Sequence, residues 1–374
     1  MNLNPTPEQH ELAAAVRRFL AAELPLTTLA RHGEVNLGGS AGVGAGGPAW
    51  RKMAQLGWFA VGVPLEHGGI GGSLADQAVL FRELGRGLAP GPVLGTALGA
   101  RIAVLAGRDD LASPLMAGET TAALAEPWRD PSATVAASSG VNGRFRVIDA
   151  DDADLVTIAT PAAVCLVKAD AVRACARRLP AADPSVPVSL AQLSHMPAEA
   201  MLDSETQAAL IASRGQILCA ALLVGILEAV RDQSVAYAST REQFGKPIGS
   251  FQAVKHRCAD MAVRAQAAGS LLWLAALSLE GPERGGRPSS GAGPGGVGGR
   301  ADGDEVDRSK ALRLAASAKA LASEYTVASA HDNVQNHGGM GFTAECPAHL
   351  YVKRALEWSV TLGSPEHLLA EIAR

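Results

Sequence analysis

Ile217, Ala220, Ala221, Val224, Leu227 and Val230 recur at helical spacing, which predicts one long apolar helix over residues 216–240. The same period resumes from Phe251 to Leu279. Between the two, Phe244-Gly-Lys-Pro-Ile breaks the pattern, because Gly and Pro punctuate helices and the residue before Pro avoids the helical region. The expected result is a helical hairpin with Arg241 and Gln252 near its corner. A further helix is expected from about Asp307, with Leu312, Ala315, Leu321, Tyr325 and Ala328 on one side, running toward Gln335.

The rest of the chain divides by the same criterion. Residues 1–113 read as helical: Thr6 is placed to cap a first helix whose apolar face is Leu12, Val16, Phe19 and Leu20, and Leu74–Leu88 and Val93–Leu105 continue the pattern. Residues 114–200 change character. Short apolar runs at Ala122–Ala125, Leu155–Ala159 and Ala163–Val167 alternate with Pro, Asp, Ser and Gly, which predicts a small β domain. The fold class is therefore mostly α with a small central β domain, the helical part resuming over 201–374. Within it Gly281–Asp304, rich in Gly, Pro, Ser and Arg, cannot bury a core and is expected to be a disordered insertion. In the glycine-rich segment 33–47, Gly42-x-Gly44-x-x-Gly47 matches a dinucleotide fingerprint, but no strand precedes it and no acidic residue follows at the needed distance.

Composition narrows the classes. A chain of 374 residues, 48% hydrophobic, exceeds one ordinary core and predicts two or three domains, with no apolar run expected to cross a bilayer. The first residues lack the basic and apolar regions of a secretory signal, so export is not expected. Five cysteines without paired metal spacing fit buried thiols in a reducing compartment, which suggests a cytoplasmic protein. His256, His331, His337 and His349 also lack ligand spacing, so no metal site is expected. A net charge of -4 offers no basic stripe for nucleic acid or anionic lipid. The chemistry on offer is local. Arg241 presents a planar fork suited to phosphate, and Gln252 an amide suited to a polar ring or hydroxyl, although a turn of this kind is also simply a surface turn. Gly338-Gly339 reads either as a helix C-cap or as a place where backbone approaches a ligand closely.

Arg241-x-x-Phe244-Gly245-x-x-Ile248-x-x-Phe251-Gln252, followed by Ala259-Asp260-Met261, resembles a signature of the acyl-CoA dehydrogenase family. Gln335-Asn-His-Gly338-Gly339-Met-Gly341-Phe342-Thr343-x-Glu345 resembles a second, and Trp50, Leu56-Gly-Trp58, Pro64-x-x-x-Gly68-Gly69 and Glu83-Leu-Gly85 extend the likeness to the N-terminal third. The resemblance implies an N-terminal helical domain, a β-barrel or sandwich and a C-terminal four-helix bundle. It implies FAD as cofactor, an acyl-CoA substrate drawn from fatty acid or sterol breakdown, and an electron-transfer flavoprotein as acceptor. On it, Arg241, Gln243, Phe244, Gln252, Gln335, Gly338 and Gly339 would grip the diphosphate and adenosine part of an FAD held by a neighbouring chain.

The middle departs from the pattern. Where the family carries hydroxyl and backbone contacts to the flavin ring after a Glu-Pro, Trp128-Arg-Asp-Pro follows Glu126-Pro127, and Arg146-Val147-Ile148 stands where Trp-x-Thr is expected. The family's base is a glutamate desolvated beside the thioester, at one of two places. Here one position holds Leu362 and the other Gly215. Glu357 and Glu366 are nearby in sequence and read as solvated helix charges, Glu366 being the candidate for a displaced base. The catalytic residue is thus left open. These losses imply a subunit that completes the FAD site of a homologous partner in a mixed α2β2 assembly. The alternatives are a self-sufficient homo-oligomer with a displaced carboxylate and a flavin-free scaffold.

Overall fold

A computed structural model describes residues 4–27, 46–130, 132–160, 162–283 and 300–373. Of the sequence readings, the glycine-rich segment 33–45 and most of the expected insertion, 284–299, lie outside the described residues.

Helices α1 (Pro7–Glu23), α2 (Pro48–Gln55), α3 (Leu74–Arg86), α4 (Val93–Leu105) and α5 (Asp109–Met116) form the N-terminal part. Thr6 caps α1 through a full capping box with Gln9, and Ser73 caps α3 in the same way with Asp76, so local chemistry sets both starts. Trp50 stacks on Phe59 at 4.3 Å, and its Nε1 donates to Gly118 O at 2.9 Å, which ties α2 to the segment entering the sheet.

The sheet has eight strands: β1 (Ala122–Pro127), β2 (Thr134–Ala136), β3 (Gly140–Ile148), β4 (Leu155–Ala159), β5 (Val164–Lys168), β6 (Ala176–Arg178), β7 (Val188–Met196) and β8 (Ala200–Leu202), with a short helix α6 (Ala169–Ala174) between β5 and β6. Its order is β6-β7-β3-β1-β4-β5-β8, β2 pairing with β3. The β1–β4 pair is parallel and the others are antiparallel. Strand β1, in the middle of this order, is buried along Ala122–Glu126.

The bundle follows. Helix α7 (Glu205–Thr240) starts earlier than residue 216, since Ala208 and Ile211 also pack inward. Helix α8 spans Gln252–Glu283 and α9 Arg300–His337, so α9 begins before the expected Asp307. Helices α10 (Ala348–Val360) and α11 (Pro365–Ile372) close the chain. A Cβ on Gly85 would overlap Leu222 O, and one on Gly225 would overlap Arg82 O. Glycine at both positions lets α3 and α7 cross backbone to backbone. Tyr351 of α10 reaches the same crossing, its hydroxyl donating to Arg86 O at 3.0 Å.

Two expectations are corrected here. Helices α7 and α8 are in fact long and apolar enough to cross a bilayer by length and composition. The most apolar stretch of α7 is 83% buried inside the fold, so its apolarity is that of a core helix, while that of α8 is only 39% buried. The cysteines are not uniformly buried: Cys165, Cys219 and Cys346 are, but Cys175 is exposed and Cys258 half-buried.

Candidate functional site

The two signature segments meet at one end of the bundle. After α7 ends at Thr240, Glu242–Gln243 and Lys246–Pro247 pair as a two-stranded ribbon around Phe244 and Gly245. Both turn residues have positive φ, 55° and 77°, the geometry a two-residue hairpin requires. Glycine adopts it freely and phenylalanine does not, so the Phe244 backbone is strained. Its ring is nonetheless 91% exposed, touching Phe251 edge-on at 6.1 Å. The last turn of α9 lies alongside: Tyr237 stacks on His337 at 4.3 Å, and Arg257 Nη1 donates to Asn336 Oδ1 at 2.9 Å.

Arg241, Gln243, Phe244, Gln252, Gln335, Gly338 and Gly339 are all exposed at this end. Among the described residues Arg241 has no ion pair, and Gln243 Nε2 turns back to the Glu242 carbonyl at 2.8 Å. Gly338 has φ of 60°, as a helix C-cap would. A Cβ on Gly339 would meet nothing within 4 Å, so packing within this chain does not demand glycine there. An unpaired guanidinium, side-chain amides and a backbone open to close approach form a donor set that suits a diphosphate and its sugar.

A second region lies between sheet and bundle, around the expected base positions. Gly215 on α7 and Leu362, just past α10, come together: a Cβ on Gly215 would lie 2.9 Å from Leu362 Cδ1 and 3.2 Å from Leu98 Cδ1 of α4. Both base positions thus share one apolar contact, and neither carries a titratable group. Glu366 is exposed, and its own backbone N–H and the Ser364 hydroxyl hold its pKa below the ordinary carboxylate value. At this exposed position Glu366 lacks the burial that raises a base toward working pH.

Glu357 is not a solvated helix charge. It is 6% exposed and paired with Arg146. Arg146 lies directly across from Glu126 in the β1–β3 ladder, so opposite charges face each other on adjacent strands. Its Nη1 donates to Glu126 Oε1 at 2.7 Å and to Thr361 Oγ1 at 3.2 Å, and its Nη2 donates to Glu357 Oε1. The other oxygen of Glu126 accepts from the Leu362 N–H at 2.6 Å. Burial is the largest influence on Glu357 and raises its pKa; Arg146 is the strongest opposing charge. Arg146, at a position that would contact a flavin ring, is therefore bonded to Glu357 and Thr361 and, through Glu126, linked to the N–H of Leu362 at one base position. The donors a flavin ring needs are already engaged, and the ring does not fit there.

Sequence reasoning missed Lys319, which is fully buried on α9. Its Nζ donates to Ser323 Oγ at 2.8 Å, Ser359 O at 3.0 Å and Gly363 O at 3.3 Å. Burial pushes its pKa below that of an ordinary lysine. The available signal was a lone lysine in the alanine-rich run 315–322. Arg354 of α10 is likewise structural: it is buried against Asp183 Oδ2 at 2.5 Å and Ala89 O at 3.1 Å.

Comparison with known proteins agrees with the fold. Residues 6–114 match the family model of the acyl-CoA dehydrogenase N-terminal domain, and residues 206–291 that of the C-terminal domain. The chain is 33% identical over 324 residues to acyl-CoA dehydrogenase IpdE2 of Mycobacterium tuberculosis, covering 86% of this chain and 85% of that protein. It is 34% identical over 312 residues to acyl-CoA dehydrogenase FadE34 of the same organism, covering 82% of this chain and 39% of that longer protein. Among solved structures, the ChsE4-ChsE5 complex from M. tuberculosis contains a chain that superposes with a TM-score of 0.79 at 23% identity, covering 100% of this chain and 98% of that one. At that identity the likeness speaks for the fold alone.

Proposed function

The chain belongs to the acyl-CoA dehydrogenase family, and we propose that it acts as the subunit that lacks a base and completes the FAD site of a homologous partner. The observation that carries this reading is the contrast between its two regions: Leu362 and Gly215 stand where a proton acceptor is needed, while Arg241, Gln335 and the Gly338-Gly339 backbone stand exposed and unspent. Helix α8, apolar yet largely open, supports a protein neighbour along the same bundle. The likeness of fold to a chain of the ChsE4-ChsE5 complex supports a reading in which the chain works beside a second, different chain.

On this reading Arg241 pairs with the diphosphate, Gln252 and Gln335 orient the nucleotide through their amides, and the Gly338-Gly339 backbone closes on it. Phe244 covers the site from the hairpin tip. Bound FAD supplies the hydride acceptor for oxidation of an acyl-CoA to its 2,3-enoyl form; the carboxylate that takes the α-proton comes from the partner. An electron-transfer flavoprotein would be the acceptor for the electrons such a cofactor would carry.

The test is the FAD-to-chain ratio of the chain alone and of the chain co-purified with its acyl-CoA dehydrogenase partner. Little flavin alone and about one FAD per pair is expected, with Arg241→Ala weakening FAD in the pair about 10–100-fold through loss of a charge-assisted bond. Full occupancy in the chain alone, or a pair indifferent to Arg241→Ala, would overturn the shared site.

A further inference from the structure

The segment 357–363 is held from four elements at once. A helix C-terminus ordinarily leaves its last carbonyls without intrahelical partners. At the end of α10 those groups find partners elsewhere in the fold. Lys319 of α9 donates to Ser359 O and Gly363 O, and its positive charge sits where the helix dipole favours a cation. The Cys219 thiol of α7 lies 3.5 Å from Trp358 O. From the sheet, Glu126 on β1 takes the Leu362 N–H, and Arg146 on β3 reaches both Glu357 and Thr361. Leu362 itself has φ of 58°, a conformation costly for leucine that persists only when its surroundings impose it.

We propose that Arg146, Glu126 and Glu357 form an ionic clamp that joins the sheet to the bundle and fills the gap a flavin ring would have to enter, so that the chain assembles this core without a cofactor there. A ring passing between β3 and residues 361–363 would separate Arg146 from Glu357 and Thr361, and Glu126 from the Leu362 N–H. Buried Glu357 would then lack its counter-charge and Glu126 one of its hydrogen bonds, an expensive state in a poorly solvated interior. Trp128 adds to the closure, lying against the Arg146 guanidinium at 5.9 Å from ring centroid to Cζ. The clamp draws on this chain's residues alone and stands whether or not the shared FAD site is correct.

The test uses the chain without a partner and reads its thermal midpoint with and without added FAD. Wild-type protein is expected to unfold at the same temperature in both. Arg146→Ala should lower the midpoint by about 4–6 °C, because it leaves both carboxylates buried and unpaired. The triple variant Arg146→Met, Glu126→Gln, Glu357→Gln should recover at least half of that loss, since neutral amides need no counter-charge. An Arg146→Ala midpoint within about 1 °C of wild type would overturn the clamp, a shift below that of an ordinary point substitution. So would FAD raising the wild-type midpoint while leaving Arg146→Ala unmoved, which would make Arg146 a flavin contact. If Arg146→Ala does not fold, the triple variant decides: a folded triple supports the clamp, and an unfolded one rejects it. Failure of the shared site would instead show in the co-purified pair, so the two outcomes are separable.

Discussion

The end of the bundle around Arg241 and Gly338, and the seam around Leu362, are built from the same kinds of group and used in opposite ways. At the seam the arginine, carboxylates and lysine have their hydrogen bonds made within the chain, and Arg146, Glu357 and Lys319 are buried. At the bundle end Arg241, Gln252 and Gln335 are exposed, and the glycines have open space where a side chain would stand. A buried polar group must be satisfied locally or it costs free energy; an exposed one stays hydrated until something better arrives. The seam therefore reads as stability and the open end as binding, although in the family's motif both would belong to a cofactor site.

The largest effect that could break this contrast lies at Lys319. Lys319→Ala removes all three donors from the Ser323 hydroxyl and the Ser359 and Gly363 carbonyls and leaves a cavity, and should cost about 3–5 kcal/mol of unfolding free energy. Lys319→Met keeps most of the volume and should cost about half as much. Denaturant unfolding of the isolated chain measures both. Equal losses for the two variants would mean that the bonds to Ser323 and the 359–363 carbonyls, not volume, are what the lysine supplies, and a Lys319→Met protein as stable as wild type would mean the reverse.

How far these regions could be read beforehand differs for the same reason. The open end was legible because its parts are short in sequence: Phe244-Gly245 breaks a helix, and Arg241, Gln252 and the Gly338-Gly339 pair stand in recognisable spacings. The Thr6 cap is local too, and the structure bears it out. The vacancy of the base positions at Leu362 and Gly215 was equally visible. The clamp was not, because Arg146 and Glu357 are 211 positions apart and Arg146 and Glu126 are 20 apart. Spacing along α10 gives Glu357 no partner and so suggests solvent. Only the pairing of β1 with β3, and the docking of α10 on that sheet, brings the three charges together. Lys319 escaped notice for the same reason, its acceptors lying on α10 and just beyond it.

The seam extends to Asp149, at the end of β3, and there the comparison becomes a pH dependence. Burial pushes the Asp149 carboxyl up to about 7 from an ordinary 3.8, with Arg354 opposing and Glu357, Asp183 and Asp151 adding to the rise. A carboxyl with a raised native pKa holds a proton that the unfolded chain has already released, so unfolding free energy falls as pH rises between the two values. The penalty is absent below about pH 4, grows through pH 7 and is constant above. Between about pH 5.5 and pH 8 it should amount to about 2 kcal/mol. Asp149→Asn, which also tolerates the residue's φ of 60°, should remove that slope and be the more stable protein at the higher pH. Parallel stability curves for the two proteins across this range would show that the carboxyl is already ionised in the native state.

The smallest stability effect belongs to the open end. In the core, a methyl group on Gly225 or Gly85 would overlap backbone of the crossing helix. Gly339→Ala meets nothing within 4 Å and has no positive φ to relieve. The isolated chain should therefore change by no more than about 0.5 kcal/mol, and toward greater stability if at all, because alanine restricts the unfolded chain. The same variant in the co-purified pair should weaken FAD several-fold, since the methyl group would stand between the backbone and the diphosphate. That split, with folding untouched and cofactor retention lost, is what a glycine kept for a ligand produces. If Gly339→Ala leaves FAD retention unchanged as well, the open space is only the geometry of a helix end, and the nucleotide grip must rest on Arg241 and the hairpin alone.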